Sequence, residues 1–330
     1  MTISVVMCTY NAVPFVHEQI ESILAQSCPP DEVIIQDDGS TDGTVDILME
    51  YAANNPRISV QINDNHRGVN QNFITAIDKA KGDLIAWSDQ DDIWHKDKLK
   101  LEKEYIIDND LWLCTHPSHS FWGNKVPSFE TIEVDRRIPN LGIERTLFLG
   151  CIPGHTMLFR RVLRDIFRSK VPEEVLASIS NSFIYDTMLS IVANAYGKVG
   201  FISQPLVLHR RLTSSVTFSD KKVQESTTRS VSNAMKHIAN SLKYRNKVQP
   251  KIDARFDSMK HLLLCFPDVA YSSNAIDLIS AYQSKLRFIK FPYQLILNRD
   301  RIFFSKEDNE FVAVIHSLYF NLVYYQYFKK

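Results

Sequence analysis

Apolar and polar residues follow two alternating periods along the first 115 residues of the chain. Short runs of β-branched and apolar residues alternate with longer stretches that have apolar residues at helical spacing. This alternation predicts a mostly parallel sheet with helices on both faces, an α/β fold. Strands are predicted at residues 3–8, 32–35, 58–62, 84–88 and 111–115, and helices at 14–26, 42–53, 69–79 and 96–107.

The pattern changes twice in the rest of the chain. Residues 116–145 have three prolines and little periodicity, which predicts a long loop. A second block follows, with a helix predicted at 184–196 and strands near 156–160, 199–202 and 206–209. Polar residues and lysine become frequent after about residue 215, and no glycine follows Gly200, which predicts an appended helical region. The predicted domains are therefore 1–215, divided into halves 1–115 and 116–215, and a mainly helical region 216–330.

The zero net charge of the 330 residues hides an asymmetry between these regions. Residues 1–215 contain 20 Lys and Arg against 28 Asp and Glu, whereas residues 216–330 contain 18 against 10. The basic region suits an anionic membrane surface or a lipid phosphate, or is an ordinary basic helical surface. Residues 311–328 have no Lys, Arg, Asp or Glu, and three interpretations stay open: a packed core helix, a membrane-surface helix or a membrane span.

The five cysteines are scattered and odd in number, which argues against a disulfide framework or a structural zinc site. The first residues do not form the charged and apolar pattern of a signal peptide. Both observations predict a cytoplasmic, reducing environment.

Polar residues follow the first two predicted strands, at the edge where parallel α/β sheets bind ligands. Thr9, Tyr10 and Asn11 suit a base or ribose, although Asn is also a common turn residue. Gly39 explains a tight turn after the second strand, but it does not explain the adjacent carboxylates of Asp37-Asp38. Because a carboxylate accepts a hydrogen bond from an imide N–H or a ribose hydroxyl, this pair suits a pyrimidine nucleotide.

The fourth predicted strand ends in a cluster of acidic residues. Asp89, Asp91 and Asp92 would repel one another unless a cation neutralises them. Oxygen ligands beside a substrate phosphate suit Mg²⁺ or Mn²⁺, which would offset the charge of a departing nucleotide diphosphate. The alternative is a solvated acidic turn that caps the helix predicted at 96–107.

Asp186 begins the predicted helix 184–196, where an acidic residue also complements the helix dipole. A sugar transfer that inverts configuration needs a base for the acceptor hydroxyl, and Asp186 is the best-placed carboxylate of the second block. His155, in the turn before the strand near 156–160, is a candidate on the acceptor side; a packed histidine is the other interpretation.

Together these residues resemble the family 2 glycosyltransferases, an inverting family with the GT-A fold, over about residues 1–215. The segment at 87–94 resembles the acidic signature of members that build bacterial surface polysaccharides. The order and spacing of the pieces are more specific than any one of them. The first half matches the family at its opening strand (4–11), first helix (18–26), nucleotide-contacting turn (33–42) and next donor-side turn (65–72). The match continues at the acidic signature (87–94), the base-bearing helix (184–197) and the closing strand (205–210).

The resemblance implies transfer of a sugar from a nucleotide-sugar donor, expected to carry UDP, to a glycan or a lipid-pyrophosphate-linked glycan at the inner membrane surface. It implies that Asp91 binds the metal together with Asp89, and that Asp186 is the catalytic base. No nucleic acid is expected as a partner, and the oligomeric state stays open, with a homodimer as one option. The residues that the resemblance places at the nucleotide sugar are Thr9, Tyr10, Asn11, Asp38, Arg67, Asn72, Asp89 and Gln90.

One departure from the family pattern concerns the end of the second block. Many relatives have Tyr-Arg-x-His followed by Gly-Asn-Asn, whereas this chain has the segment 209–215, HRRLTSS. Leu212 takes the place of the later His, which is often a metal or diphosphate partner. Either His209 or Arg210 substitutes for that His, or the metal is held more weakly. His209 and Arg210 are further candidates on the acceptor side.

Two other functions fit parts of this pattern. A nucleotidyltransferase also uses carboxylate-bound Mg²⁺, but it usually has a Gly-rich basic loop after the first strand, and residues 9–14 contain neither Gly nor Lys. A glycan-binding relative without catalysis is favoured only by Leu212. The intact Asp38, Asp89, Asp91 and Asp186 argue against it.

Overall fold

The computed structural model of the protein describes residues 1–123, 125–134, 152–180, 185–212, 249–285 and 287–297. The strands in these ranges are β1 (Ile3–Thr9), β2 (Glu32–Asp37), β3 (Ile58–Ile62), β4 (Leu84–Ser88), β5 (Ile93–Trp94), β6 (Leu113–Thr115), β7 (Ser118–Trp122), β8 (Met157–Arg160), β9 (Val199–Phe201) and β10 (Val207–Arg211). The helices are α1 (Val16–Leu24), α2 (Thr44–Asn54), α3 (Val69–Ile77), α4 (Lys98–Asp108), α5 (Arg161–Lys170), α6 (Glu173–Ile179), α7 (Tyr185–Ala195), α8 (249–264), α9 (Ala270–Gln283) and α10 (Arg287–Leu297).

Seven strands form one sheet in the order β3-β2-β1-β4-β8-β6-β9, and the prediction of a mostly parallel sheet is confirmed. Only β8 runs against its two neighbours, β4 and β6. The register pairs Thr9 of β1 with Asp37 of β2, and Met7 of β1 with Ser88 of β4. The carboxyl ends of three strands therefore meet at one edge, and the polar loops that follow them are neighbours.

A second, three-stranded sheet has the order β5-β10-β7. It lies next to residues 89–92, the acidic loop, because β5 directly follows that loop. Strand β10 is antiparallel to β5 and parallel to β7. The prediction of a loop over 116–145 is wrong at residues 118–122, which form β7. Phe121 is the one buried residue of β7, so the strand shows no clear alternation of buried and exposed residues. Residues 124 and 135–151 lie outside the described residues.

Each face of the large sheet has its own hydrophobic core. One face packs Val5, Met7 and their neighbours against α1, α2 and α4, and the other packs Val6 and its neighbours against α3 and α5 to α10. The described part of the region 216–330 is helical, and Phe256 and Leu278 share the second core with Leu189 of α7. The proposed boundary near 215 stays a prediction, and residues 213–248 and 298–330 lie outside the described ranges.

Helices α5 and α6 were not predicted from the sequence, although Leu163 and Phe167 give α5 a buried stripe at helical spacing. Within the ranges given above, no helix combines the length and the apolar character needed to cross a lipid bilayer.

A buried group of charges connects α4 to the two sheets. Lys98 and Glu102 are fully buried, and Lys98 Nζ lies 2.8 Å from Glu102 Oε2. His116, between β6 and β7, places Nε2 3.4 Å from Glu102 Oε1. Lys98 Nζ also lies 4.2 Å from the ring centre of Trp94 in β5. Since charges this deeply buried need partners, Glu102 is the residue on which the group depends.

We expect Glu102→Gln to lower the free energy of unfolding by about 3–5 kcal/mol, because it leaves the charge of Lys98 buried without its counter-ion. Urea denaturation at neutral pH measures the change. Glu104→Gln, at an exposed position of the same helix, is the matched control and should change the free energy by less than about 0.5 kcal/mol. Equal effects of the two substitutions would contradict the account.

Candidate functional site

The loop after β4 is bound to the loop after β1 through Gln90. The Gln90 side chain accepts a hydrogen bond from the Tyr10 backbone N–H at 2.7 Å and donates one to the Tyr10 carbonyl oxygen at 3.2 Å. Asn11, at φ 49°, accepts a hydrogen bond from Thr41 N–H at 2.9 Å. The loops after β1, β2 and β4 therefore form one connected surface.

Asp92 is fully buried, and its two carboxylate oxygens have different surroundings. Oδ1 accepts a hydrogen bond from the Arg210 backbone N–H at 3.2 Å. Oδ2 has no hydrogen-bond partner among the described residues and lies 3.9 Å from His155 Nδ1. Helix α4 begins at Lys98 with Asp97 at its N-cap. For Asp92, the alternative of a solvated turn that caps the next helix is therefore wrong.

His155 lies in a short 3₁₀ turn, Gly154–Thr156, and reaches the acidic loop from the other side. Its Nδ1 lies 3.3 Å from Asp89 Oδ2, and its Nε2 lies 3.2 Å from Ser118 Oγ. Burial lowers the pKa of His155, but the carboxylates of Asp92 and Asp89 outweigh burial and raise that pKa to about 9. His155 was predicted on the acceptor side, whereas the structure places it against the acidic loop.

His209 packs against His155, with ring centres 4.5 Å apart. Burial and the positive charge of His155 lower the pKa of His209 to about 4. Burial and the charge of Asp89 raise the pKa of Asp91 to about 7. Burial raises the pKa of Asp89, but the hydrogen bond and the charge of His155 outweigh burial and lower that pKa below its ordinary value.

The residues around the acidic loop fit a divalent cation. Asp89, Asp92 and His155 each offer one ligand atom, and these atoms lie within 4.8 Å of one another. Oδ2 of Asp92 fits a metal best, because a buried carboxylate oxygen without a partner is costly. Of the two predicted metal ligands, Asp89 belongs to this group and Asp91 does not.

Asp186 lies in the first turn of α7 and is buried beside the His155 turn. Its Oδ2 accepts the Gly154 N–H at 3.0 Å, and its Oδ1 accepts the Thr187 N–H at 2.5 Å. Burial raises the pKa of Asp186 to about 6, although these two hydrogen bonds oppose the rise. A Cβ on Gly154 would lie 2.8 Å from Tyr185 Oη, so the close approach of the turn to α7 requires glycine.

Asp38 is buried after β2 and holds the turn that precedes α3. Of its donors, His66 is the most accessible, with 56% of its side chain exposed. His66 also packs on Tyr10, with ring centres 4.4 Å apart, and Tyr10 is 44% exposed. The donors to the two Asp38 oxygens are Asn63 Nδ2, His66 Nδ1, Arg67 N and Gly68 N, at 2.7, 2.9, 2.9 and 2.8 Å.

Two residues predicted at the nucleotide sugar, Thr9 and Asn72, lie behind the surface. Thr9 Oγ1 donates to Asp37 Oδ2 at 2.7 Å. Asn72 accepts from Asn63 Nδ2 at 2.8 Å and so supports Asp38 indirectly. Their burial, 1% and 2% exposed, keeps both side chains from the open surface. The Arg67 side chain is exposed, whereas its backbone N–H supports Asp38.

Arg210 was predicted on the acceptor side, and the structure corrects this placement. It is 2% exposed, and its guanidinium lies under the acidic loop, bonded to protein groups. Sequence reasoning missed Asp92 as a potential ligand and His66 as a partner of Asp38. The three acidic residues within 89–92 were a signal for Asp92, and the predicted donor-side turn at 65–72 contained His66 without singling it out.

Comparison with known proteins concerns the family and the fold of the chain. Residues 4–167 match the family model described as Glycosyl transferase family 2. The chain is 39% identical over 106 residues to the putative teichuronic acid biosynthesis glycosyltransferase TuaG of Bacillus subtilis (strain 168), covering 32% of this chain and 42% of TuaG. It is 36% identical over 109 residues to the dTDP-rhamnosyl transferase RfbG of Shigella flexneri, covering 32% of this chain and 38% of RfbG. The matches thus span less than half the length of these curated relatives.

A crystal structure of S. aureus TarS 1-349 in complex with UDP superposes with a TM-score of 0.54 at 16% identity. The superposition covers 98% of this chain and 82% of that chain. At this identity the likeness concerns the fold, and it confirms the predicted GT-A type of α/β fold.

We expect the stability of the metal-free protein to depend on pH through Asp91. The pKa of Asp91 is about 7 in the folded protein and about 4 in the unfolded chain. Protonated Asp91 therefore contributes to the free energy of unfolding in full below the unfolded pKa, and this contribution is lost as pH rises through the folded pKa. Asp91→Asn removes this ionisation. The free energy of unfolding of the wild type, minus that of the variant, should therefore fall between about pH 4 and about pH 7 and change little above that.

Urea denaturation in the presence of a chelator measures this difference at several pH values. The exposed residue Asp64 provides the control, and Asp64→Asn should track the wild type at each pH. Parallel curves for the wild type and Asp91→Asn would show that Asp91 is not held in this environment.

Proposed function

Residues 4–167 place this chain in the family 2 glycosyltransferases, and we propose that it transfers a sugar from a nucleotide-diphosphate donor to an acceptor hydroxyl. The transfer inverts the configuration at the anomeric carbon, so an α-linked donor gives a β-linked product. The observation that carries the proposal is the meeting of the acidic loop with Asp186. Both contact the same turn, Asp89 through His155 and Asp186 through the Gly154 N–H.

The donor nucleotide in this proposal is a pyrimidine diphosphate, with UDP as the first choice. The exposed ring of Tyr10, next to His66, offers a surface on which a base stacks. Asp38 accepts the imide N–H of the base in place of the exposed His66, while the backbone N–H groups keep their positions. TarS in complex with UDP and the dTDP-rhamnosyl transferase RfbG both support a pyrimidine, since uracil and thymine share the imide group.

Asp186 is the general base of the proposed reaction. It accepts the proton of the acceptor hydroxyl as the acceptor oxygen bonds to the anomeric carbon and the bond from that carbon to the diphosphate oxygen breaks. A pKa of about 6 keeps most Asp186 carboxylates ionised at neutral pH while leaving them basic enough to take the proton. The Gly154 and Thr187 N–H groups hold the carboxylate in place.

The metal site of the proposal consists of Asp89, Asp92 and His155. A bound Mn²⁺ or Mg²⁺ supplies positive charge to the departing diphosphate. The imidazole nitrogen favours Mn²⁺, because Mg²⁺ prefers oxygen ligands. Asp91, the ligand expected from the family resemblance, is the competing assignment, and the two can be separated by substitution.

The acceptor in this proposal is a growing surface glycan linked to a lipid, at the cytoplasmic face of the membrane. The name of TuaG refers to teichuronic acid biosynthesis, which supports a cell-surface polysaccharide as the product. The excess of basic residues in 216–330 supports a peripheral contact with an anionic surface.

We expect Asp186→Asn to keep UDP affinity within about twofold and to lower the rate of transfer by roughly 10²- to 10⁴-fold, because the amide cannot accept the proton. Calorimetric UDP titration and transfer assays with a panel of nucleotide sugars measure the two quantities. Asp108→Asn, at an exposed position on α4, is the control and should behave as the wild type. Unchanged turnover in Asp186→Asn would remove this residue as the base.

We expect Mn²⁺ binding, measured by the loss of the free-ion electron paramagnetic resonance signal in the presence of UDP, to weaken by roughly 10- to 100-fold in Asp92→Asn. Asp91→Asn is the matched substitution and should bind Mn²⁺ nearly as well as the wild type. A loss in Asp91→Asn with normal binding in Asp92→Asn would assign the metal to Asp91. Full transfer activity of the wild type in excess chelator would reject the metal role altogether.

A further inference from the structure

Arg210 in β10 bonds to three segments that are far apart in the sequence. Its Nε donates to the carbonyl oxygen of Asp91 at 3.1 Å, and its Nη1 donates to the carbonyl oxygen of Gly123 at 3.1 Å. Its Nη2 pairs with the carboxylate of Glu18 in α1. The side chain therefore connects the acidic loop, the end of β7 and the first helix.

Two aromatic rings cover the guanidinium. Its central carbon lies 5.0 Å from the ring centre of Phe15 and 4.7 Å from that of Phe121. Both distances are within the range of cation–π contacts. Only 2% of Arg210 is exposed. Hydrogen bonds to a charged group shielded from water in this way are stronger than those on an open surface.

The main chain of Arg210 makes a second contact with the acidic loop. Its N–H donates to Asp92 Oδ1 at 3.2 Å, next to the bond from its side chain to the Asp91 carbonyl oxygen. One residue therefore holds two consecutive residues of the loop. With Oδ1 of Asp92 held in this way, the other oxygen, Oδ2, faces His155.

We propose that Arg210 is a positioning residue for the donor and metal site, which sets the orientation of the Asp91 carbonyl and the Asp92 carboxylate from beneath the loop. The proposal rests on the glycosyltransferase function given above and adds a residue that acts without touching the substrate. The burial of Arg210 also shows whether this residue can substitute for the family His at the position of Leu212. Because the Arg210 side chain is buried between Phe15 and Phe121, it does not replace the family's later His at the diphosphate, and it supports the loop instead.

The decisive variant is Arg210→Lys, which keeps a cation between the rings. A lysine ammonium lacks the planar fork of the guanidinium, so it cannot bond to Asp91, Gly123 and Glu18 in their present positions. We expect a folded protein whose affinity for Mn²⁺ in the presence of UDP falls by roughly 10- to 100-fold. Arg211→Lys, at the adjacent position of β10, is the matched control and should keep the wild-type affinity.

A purely structural role predicts a different result. Arg210→Lys would then lower the midpoint of thermal unfolding while the affinity for Mn²⁺ and UDP of the folded protein stays within about twofold of the wild type. That result would overturn the proposal. Glu18→Gln loosens the guanidinium without removing it, and it serves as the test if Arg210→Lys does not fold. A weaker Mn²⁺ affinity in Glu18→Gln supports positioning, and an unchanged affinity overturns it.

The binding measurements also separate this proposal from the proposed function. If the wild type binds Mn²⁺ and UDP but transfers no sugar, the glycosyltransferase activity is rejected. The Mn²⁺ affinity of Arg210→Lys, compared with that of the wild type, still decides the role of Arg210. Normal transfer by the wild type, with unchanged binding and turnover in Arg210→Lys, would reject only the role of Arg210.

Discussion

Carboxylates that share a buried loop repel one another, and the site of this protein is built around such a loop. Asp92 is fully buried, and its Oδ2 lacks a hydrogen-bond partner within the described part of the chain. Burial and the charge of Asp89 raise the pKa of both Asp91 and Asp92. His155 reaches in to offset part of this charge, which is why its pKa rises to about 9 despite burial. Arg210 supports the same loop from beneath. A divalent cation and a diphosphate would complete the charge balance of this arrangement.

The sheet topology determines which groups surround the loop. Because β1 lies between β2 and β4, the loops after these strands are neighbours, and Gln90 connects two of them directly. The antiparallel strand β8 starts at the same edge, which brings the turn before it, with Gly154 and His155, to the acidic loop. Through Gly154, the carboxylate of Asp186 joins the same site. Each group of the proposed chemistry thus comes from a strand end or from the helix packed beside it.

The parallel half of the sheet was predictable from the sequence, since each of its strands is a short apolar run followed by a polar turn. The second sheet was not predictable, because β10 joins β5 to β7 only through the tertiary structure and β7 has one buried residue. The position of Asp89 followed from the end of β4. The role of Asp92 depends on its burial, and that burial depends on Arg210, His155 and β10, which are distant in the sequence. Similarly, the pair Asp37-Asp38 indicated a ligand, but Asp37 bonds within its own turn while Asp38 holds the turn before α3.

The proposed function requires one metal–diphosphate site between the acidic loop and the His155 turn. The most direct test is the anomalous scattering of Mn²⁺ in crystals of the protein grown with UDP. We expect a single strong peak in contact with Asp89, Asp92 and His155, with the UDP diphosphate bound to the same ion. A peak away from the acidic loop, or ordered UDP with no metal beside its diphosphate, would contradict it.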